Sequence, residues 1–208
     1  MNFKRVSTFI AALALLALLA MPASAGLSTS DSSSKGGTSP DAASYFYDFE
    51  STLAPWVSGA GAGLGRVFAI QEPSSCDPRL SGTNYAHLKG GTPIPGTSDA
   101  YAYMETGFPS SPRTDVNDVT VKFDAQSIDG CDGCKVSLYV GNSPVTNFLS
   151  QANGLDNLTS WWVRYGDSVS VTVNSNNAIY VALGWAGTPA PGSAPSVGFD
   201  CINVDIGP

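Results

Sequence analysis

The stretch Val119-Thr120-Val121-Lys122-Phe123-Asp124-Ala125-Gln126 decides the fold. In an extended chain Val119, Val121, Phe123 and Ala125 fall on one side, and Thr120, Lys122, Asp124 and Gln126 on the other. That is the period of two required by a strand with one buried face. The same period recurs in Val136, Leu138 and Val140 against Ser137 and Tyr139, and in Val169, Val171 and Val173 against Ser170, Thr172 and Asn174. Less regular runs at 45–51, 64–70, 84–89, 101–106, 161–165, 178–185 and 197–206 raise the expected total to about ten strands. Helix formers are scarce: the only glutamates are Glu50, Glu72 and Glu105, and 22 Gly and 14 Pro punctuate the chain. Pro-rich segments at 91–96, 108–112 and 188–195 read as surface loops, because proline withholds the N–H that a central ladder needs. The expected fold is all-β, an antiparallel two-sheet jelly-roll sandwich.

Upstream of this body, residues 1–25 read as a secretory signal of bacterial type. Lys4 and Arg5 precede an apolar run from Phe9 to Met21, and Ala23-Ser24-Ala25 forms a small-x-small cleavage site. The run holds 13 residues, short of the roughly 20 a membrane-spanning helix requires. Residues 26–44, rich in Ser, Thr and Gly, carry too little apolar surface to offset the entropy of ordering and read as a linker. Residues 45–208 are then the sandwich, secreted to the medium or the cell surface. The chain carries 10 Lys+Arg against 17 Asp+Glu; losing Lys4 and Arg5 with the leader leaves 8 against 17, a net charge of −9. So acidic a surface excludes a phosphate-tracking groove for nucleic acid, and insertion into a membrane is not expected.

Four cysteines in an exported chain most simply form two disulfides, with three pairings open. The expected pairs are Cys131–Cys134, clipping a hairpin tip between two strong strands, and Cys76–Cys201, tying an early loop to the last strand. A zinc site built on Cys131-x-x-Cys134 lacks a second pair at metal spacing. Catalytic signals are weak. His87 is the sole histidine, no Gly-x-Ser-x-Gly elbow is present, and no carboxylate pair stands out among the 17 acids. The expected protein is not an enzyme.

Two constellations remain. The first lies in the terminal strands, Tyr45-Phe46-Tyr47-Asp48-Phe49-Glu50 and Gly198-Phe199-Asp200-Cys201-Ile202. Asp48 and Glu50 share a strand face, and Asp200 falls in phase with Ile202, Val204 and Ile206. An acid in phase with an apolar face needs a partner; either a hard cation such as Ca²⁺, which takes six to eight oxygens, or open water at a strand end satisfies it. The second is aromatic: Tyr101, Tyr103, Trp161, Trp162, Tyr165 and Trp185. Sugar C–H faces pack on exposed rings. Trp161 and Trp162, adjacent in an expected strand, should face opposite sides, while Trp56 and Trp185 are expected in the core.

The opening Asp48-Phe49-Glu50 followed by Trp56, the middle Ser81-Gly82-Thr83-Asn84-Tyr85-Ala86, and the closing Phe199-Asp200-Cys201-Ile202 together resemble the jelly-roll, galactose-binding-like superfamily of bacterial carbohydrate-binding modules and related extracellular adhesion domains. The resemblance implies that the first and last strands lie close, with a structural Ca²⁺ near them. Glu50 and Asp200 would be its side-chain ligands, with Asp48 beside them. One departure is Asp200-Cys201, where members of the superfamily often close with two aspartates. The function expected is a non-catalytic binding module for polysaccharide or glycoconjugate at Trp161, Trp162, Tyr101 and Tyr103. Its rivals are a structural or adhesive extracellular protein acting through protein contacts, and an unrecognised hydrolase.

Overall fold

Among the described residues of this computed structural model eleven strands are divided between two sheets. The structure describes residues 42–59, 67–73, 84–90, 100–110, 115–131, 133–174, 177–189 and 192–208, with 67–73 by backbone only. The described residues belong to the compact unit Gly37–Pro208. The leader at 1–25, linker residues 26–41, Cys76 and the Ser81-Gly82-Thr83 motif lie outside them.

In chain order the strands are β1 (Ala43–Tyr47), β2 (Val57–Gly59), β3 (Val67–Pro73), β4 (Asn84–Gly90), β5 (Ala100–Pro109), β6 (Val116–Asp129), β7 (Lys135–Gly141), β8 (Asn153–Asn157), β9 (Val163–Thr172), β10 (Ala178–Gly187) and β11 (Ser196–Gly207). One short helix, α1 (Phe148–Gln151), interrupts the β7–β8 connection. One sheet runs β3-β4-β11-β6-β9, with β1 also on β11, and the other runs β2-β5-β10-β7-β8. The eight strands from β4 onward pair as first-eighth-third-sixth and second-seventh-fourth-fifth, which is the jelly-roll order. The expected sandwich is therefore the one found. Among the described residues no helix is long and apolar enough to cross a membrane.

The alternation in β6 does what its sequence dictates: Val119, Val121, Phe123 and Ala125 are fully buried. They meet Ile179, Val181, Leu183 and Trp185 of β10, also fully buried. Phe123 packs between Tyr165 and Phe199, each at a ring distance of 5.9 Å. At the chain's beginning Tyr45, Tyr47, Trp56 and Phe108 form a ring cluster, with Tyr45 and Phe108 at 4.9 Å and Tyr47 and Trp56 edge-on at 5.6 Å. Burial, followed by the neighbouring Tyr45, pushes the Tyr47 hydroxyl up to about 12. Trp56 and Trp185 are core residues, as expected.

Several local readings need correcting. The runs expected at 161–165 and 169–173 form one strand, β9, so Trp161 and Trp162 stand in the loop before it. In β9, Asp167 falls in phase with the inward Val163, Tyr165, Val169 and Val171 and is half-buried. Ala43 and Ser44, expected in the linker, belong to β1 and pair with Ile206 and Asp205 of β11. His87 lies on β4, between β3 and β11, and is buried. Cys201 is disulfide-bonded. The expected bond between Cys131 and Cys134 is not formed. Both sulfurs are buried in a turn already closed by the Cys134 N–H donating to the Cys131 carbonyl at 3.0 Å.

Candidate functional site

The acids of the terminal strands gather where β11 changes neighbours. β4 pairs with β11 from Ser196 to Phe199, and β1 takes over from Ile202 to Ile206. Between them the register of β11 against β6 shifts, and Cys201 adopts φ 47°. This bulge resets the strand's parity. Phe199 and Ile202 both face inward, and Asp200 turns to the outer face opposite Asp124 instead of staying in phase with Ile202. The parity expected for Asp200 is thereby corrected, yet the residue is still only 1% exposed.

The loop after β1 reaches the same place. Phe49, at φ 55°, buries its ring and leaves Asp48 and Glu50 on either side of it. Glu50 Oε1 accepts the Asn84 N–H at 2.8 Å, fixing this loop to the start of β4, and Asp48 Oδ1 accepts the Glu50 N–H at 3.2 Å. Asp124 is neutralised by Arg164, whose Nε and Nη2 reach its two carboxylate oxygens at 2.6 and 3.2 Å. Among the described residues no cation is paired with Asp200 in this way. Burial pushes its carboxyl up to about 7, opposed by the Cys201 N–H donating at 2.8 Å and reinforced by the negative charges of Asp124, Asp48 and Glu50. Asp48 and Glu50 thus lie near enough to Asp200 for their charges to act on it. Among the described residues no group of three or more His, Cys, Asp or Glu side chains is placed to hold a metal ion.

The four aromatic candidates are divided between two places. Trp161 is 64% exposed. Its loop is tied down on several sides: Leu158 N–H to Cys134 O at 2.7 Å, Ser127 N–H to Thr159 O at 2.8 Å, Gln126 Nε2 to Ser160 O at 2.8 Å, and Thr159 Oγ1 to Trp161 O at 2.8 Å. Trp162 does not enter the core. It lies over Gly198 on the outer face, edge-on to Tyr85 at 5.5 Å, and a Cβ on Gly198 would come within 2.8 Å of its ring. Tyr101 and Tyr103 are on the outer face of the other sheet, half-buried under Phe148 of α1. Sequence reasoning missed Phe148, a lone aromatic in a polar stretch with no periodic signal.

No protein-family model matches the chain, and no curated protein matches it. Solved structures do. The CBM22-1 xylan-binding domain of Xyn10C from Paenibacillus barcinonensis is 12% identical over 77% of this chain and 91% of its own, with a TM-score of 0.48. TmCBM61, in complex with β-1,4-galactotriose, is 13% identical over 76% and 92%, at 0.44. The K1 cleaved adhesin domain of Lys-gingipain from Porphyromonas gingivalis W83 is 13% identical over 78% and 97%, at 0.47. At these identities and TM-scores the similarities carry over nothing about this chain's ligand or activity.

Proposed function

We propose that the chain is a secreted, non-catalytic binding module that engages a polysaccharide or glycoconjugate at Trp161. The observation that supports this reading is a mostly exposed indole on a loop fixed by hydrogen bonds to β6 and to Cys134 just ahead of β7. Large aromatics are ordinarily buried. An indole held open on a rigid loop pays little ordering entropy on binding and offers a flat apolar face to the C–H side of a sugar ring. Exposed Ser160 in the same loop and exposed Asp156 and Asn157 at the end of β8 offer hydrogen-bonding groups for hydroxyls.

Calorimetric titration against a panel of soluble polysaccharides tests the reading. Trp161→Ala should weaken binding at least tenfold and leave Tm within about 2 °C, since an exposed ring contributes little to folding. Trp162→Ala should instead lower Tm, because its ring covers Gly198. An intact wild-type domain that binds none of the polysaccharides sinks the proposal and favours adhesion through protein contacts.

We further propose a structural Ca²⁺ held by Glu50 and Asp200 with Asp48 beside them. The fit rests on a buried carboxylate whose charged neighbours named above are all acidic. Ca²⁺ takes six to eight oxygens, so backbone carbonyls and water would complete the shell. Adding 1 mM Ca²⁺ to metal-stripped protein should raise Tm by roughly 10 °C, about 4 kcal/mol at a thousandfold excess over Kd. An unchanged Tm removes the ion.

A further inference from the structure

The β7–β8 connection, residues 142–152, lies as a strap across the outer face of the β5-β10-β7 sheet. We propose that this strap is displaceable, and that the slot filled by the Phe148 ring is a binding site for a planar aromatic ring supplied from outside, such as a substituted phenol. This site is independent of the glycan reading.

The slot is built for a flat ring. Phe148 is fully buried and stacks on Tyr103 at 4.9 Å and 13°, with Tyr101 at 6.0 Å. Tyr139, Tyr180 and Ala182 complete its apolar surroundings. Beneath it Gly184 has no side chain; a Cβ there would stand 2.8 Å from Phe148 Cζ and would strike the Ala102 carbonyl. The cluster is separate from the main core between the sheets. Tyr101 and Tyr103 are only half-buried, so the slot's margin is open to solvent.

The strap is more strongly bonded to itself than to the sheet. Gln151 Oε1 accepts the N–H groups of Thr146 and Asn147, at 2.9 and 2.7 Å. Asn147 Oδ1 accepts the Ser150 N–H at 3.3 Å, and the Gln151 and Ala152 N–H groups donate to Asn147 O and Phe148 O. Two bonds latch it to the sheet: Val145 N–H to Glu105 Oε1 and Tyr139 hydroxyl to Ser143 O, both at 2.7 Å. At its start Asn142 Nδ2 donates to Thr172 O of β9 at 3.2 Å, and among the described residues the remaining anchors are the side chains of Val145, Phe148 and, in part, Ala152. Residues 142–144, 146–147 and 149–151 are exposed. Such a segment lifts as a unit while keeping its own turn, and an incoming aromatic ring takes the place Phe148 leaves.

The test uses p-cresol with amide hydrogen exchange and NMR titration on the full domain. In the wild type, the Val145, Ser150 and Ala152 amides should exchange at least tenfold faster than those of central β10. Saturating p-cresol should accelerate them further and shift the Tyr103 signals. Phe148→Ala should bind p-cresol at least tenfold tighter than wild type, and Glu105→Ala, which cuts the latch but keeps the ring, several-fold tighter. Trp161→Ala should bind as wild type does. Strap amides as protected as β10, or no wild-type binding even if the emptied Phe148→Ala slot takes the ligand, overturns the proposal. So does an affinity unmoved by Glu105→Ala. Should Phe148→Ala fail to fold, wild type and Glu105→Ala decide.

Discussion

Trp185→Ala is expected to lower the stability of the domain by about 3–5 kcal/mol. The ring is fully buried on the inner face of β10, and its ladder partners are the small or short residues Ala102 and Val136, so neighbouring side chains cannot collapse into the space it leaves. For a domain of this length each kcal/mol lowers Tm by roughly 2–4 °C, and thermal unfolding followed by circular dichroism should show a fall of roughly 10 °C. Trp185→Phe separates two contributions. The indole N–H is buried and has no hydrogen-bond partner among the described residues, an arrangement that costs about 1–3 kcal/mol. Phenylalanine removes that orphaned donor as it leaves a smaller void, so its net loss should stay under about 1.5 kcal/mol. A Trp185→Ala variant as stable as wild type would mean that the two sheets close up without the ring.

The second large effect is a pH dependence of stability carried by Asp200. The folded chain keeps this carboxyl protonated up to about pH 7, whereas in the unfolded chain it ionises near pH 4. Between these values the folded state binds the extra proton, so metal-stripped protein is most stable below about pH 4 as far as this group is concerned and loses that stability as pH rises through 7. Thermal unfolding in chelator should show Tm dropping by roughly 5 °C across this window, and Asp200→Asn should flatten the drop. Calcium should reverse the slope, because a divalent cation favours the ionised carboxylate. A wild-type slope identical to that of Asp200→Asn in chelator would show that the carboxyl titrates normally.

The sandwich was legible because β6, β7 and the second half of β9 carry uninterrupted alternation, and a buried face with period two admits few other folds. The short strands β2 and β8 were not, since Val57-Ser58-Gly59 and Asn153-Gly154-Leu155-Asp156-Asn157 bury almost nothing and are held by ladder bonds to β5 and β7. Gly166 and Asp167 hid the continuity of β9 by breaking its apolar run. The acidic cluster was legible in its members but not in its geometry. Side-chain spacing put Asp200 in phase with Ile202, and only the backbone turn at Cys201 reverses that. The same limit applies to Trp161 and Trp162, whose loop is set by bonds to β6 and to Cys134 that no local pattern announces.

Asp167 has a consequence beyond its own strand. β9 is the outermost described strand of its sheet, and a foreign strand zipping along it would cap a carboxylate that now leans inward with a path to water. Sealing that charge costs several kcal/mol, so the flank that most invites fibrillar stacking carries its own deterrent. Neutralising it with Asp167→Val would trade solubility for a continuous greasy stripe.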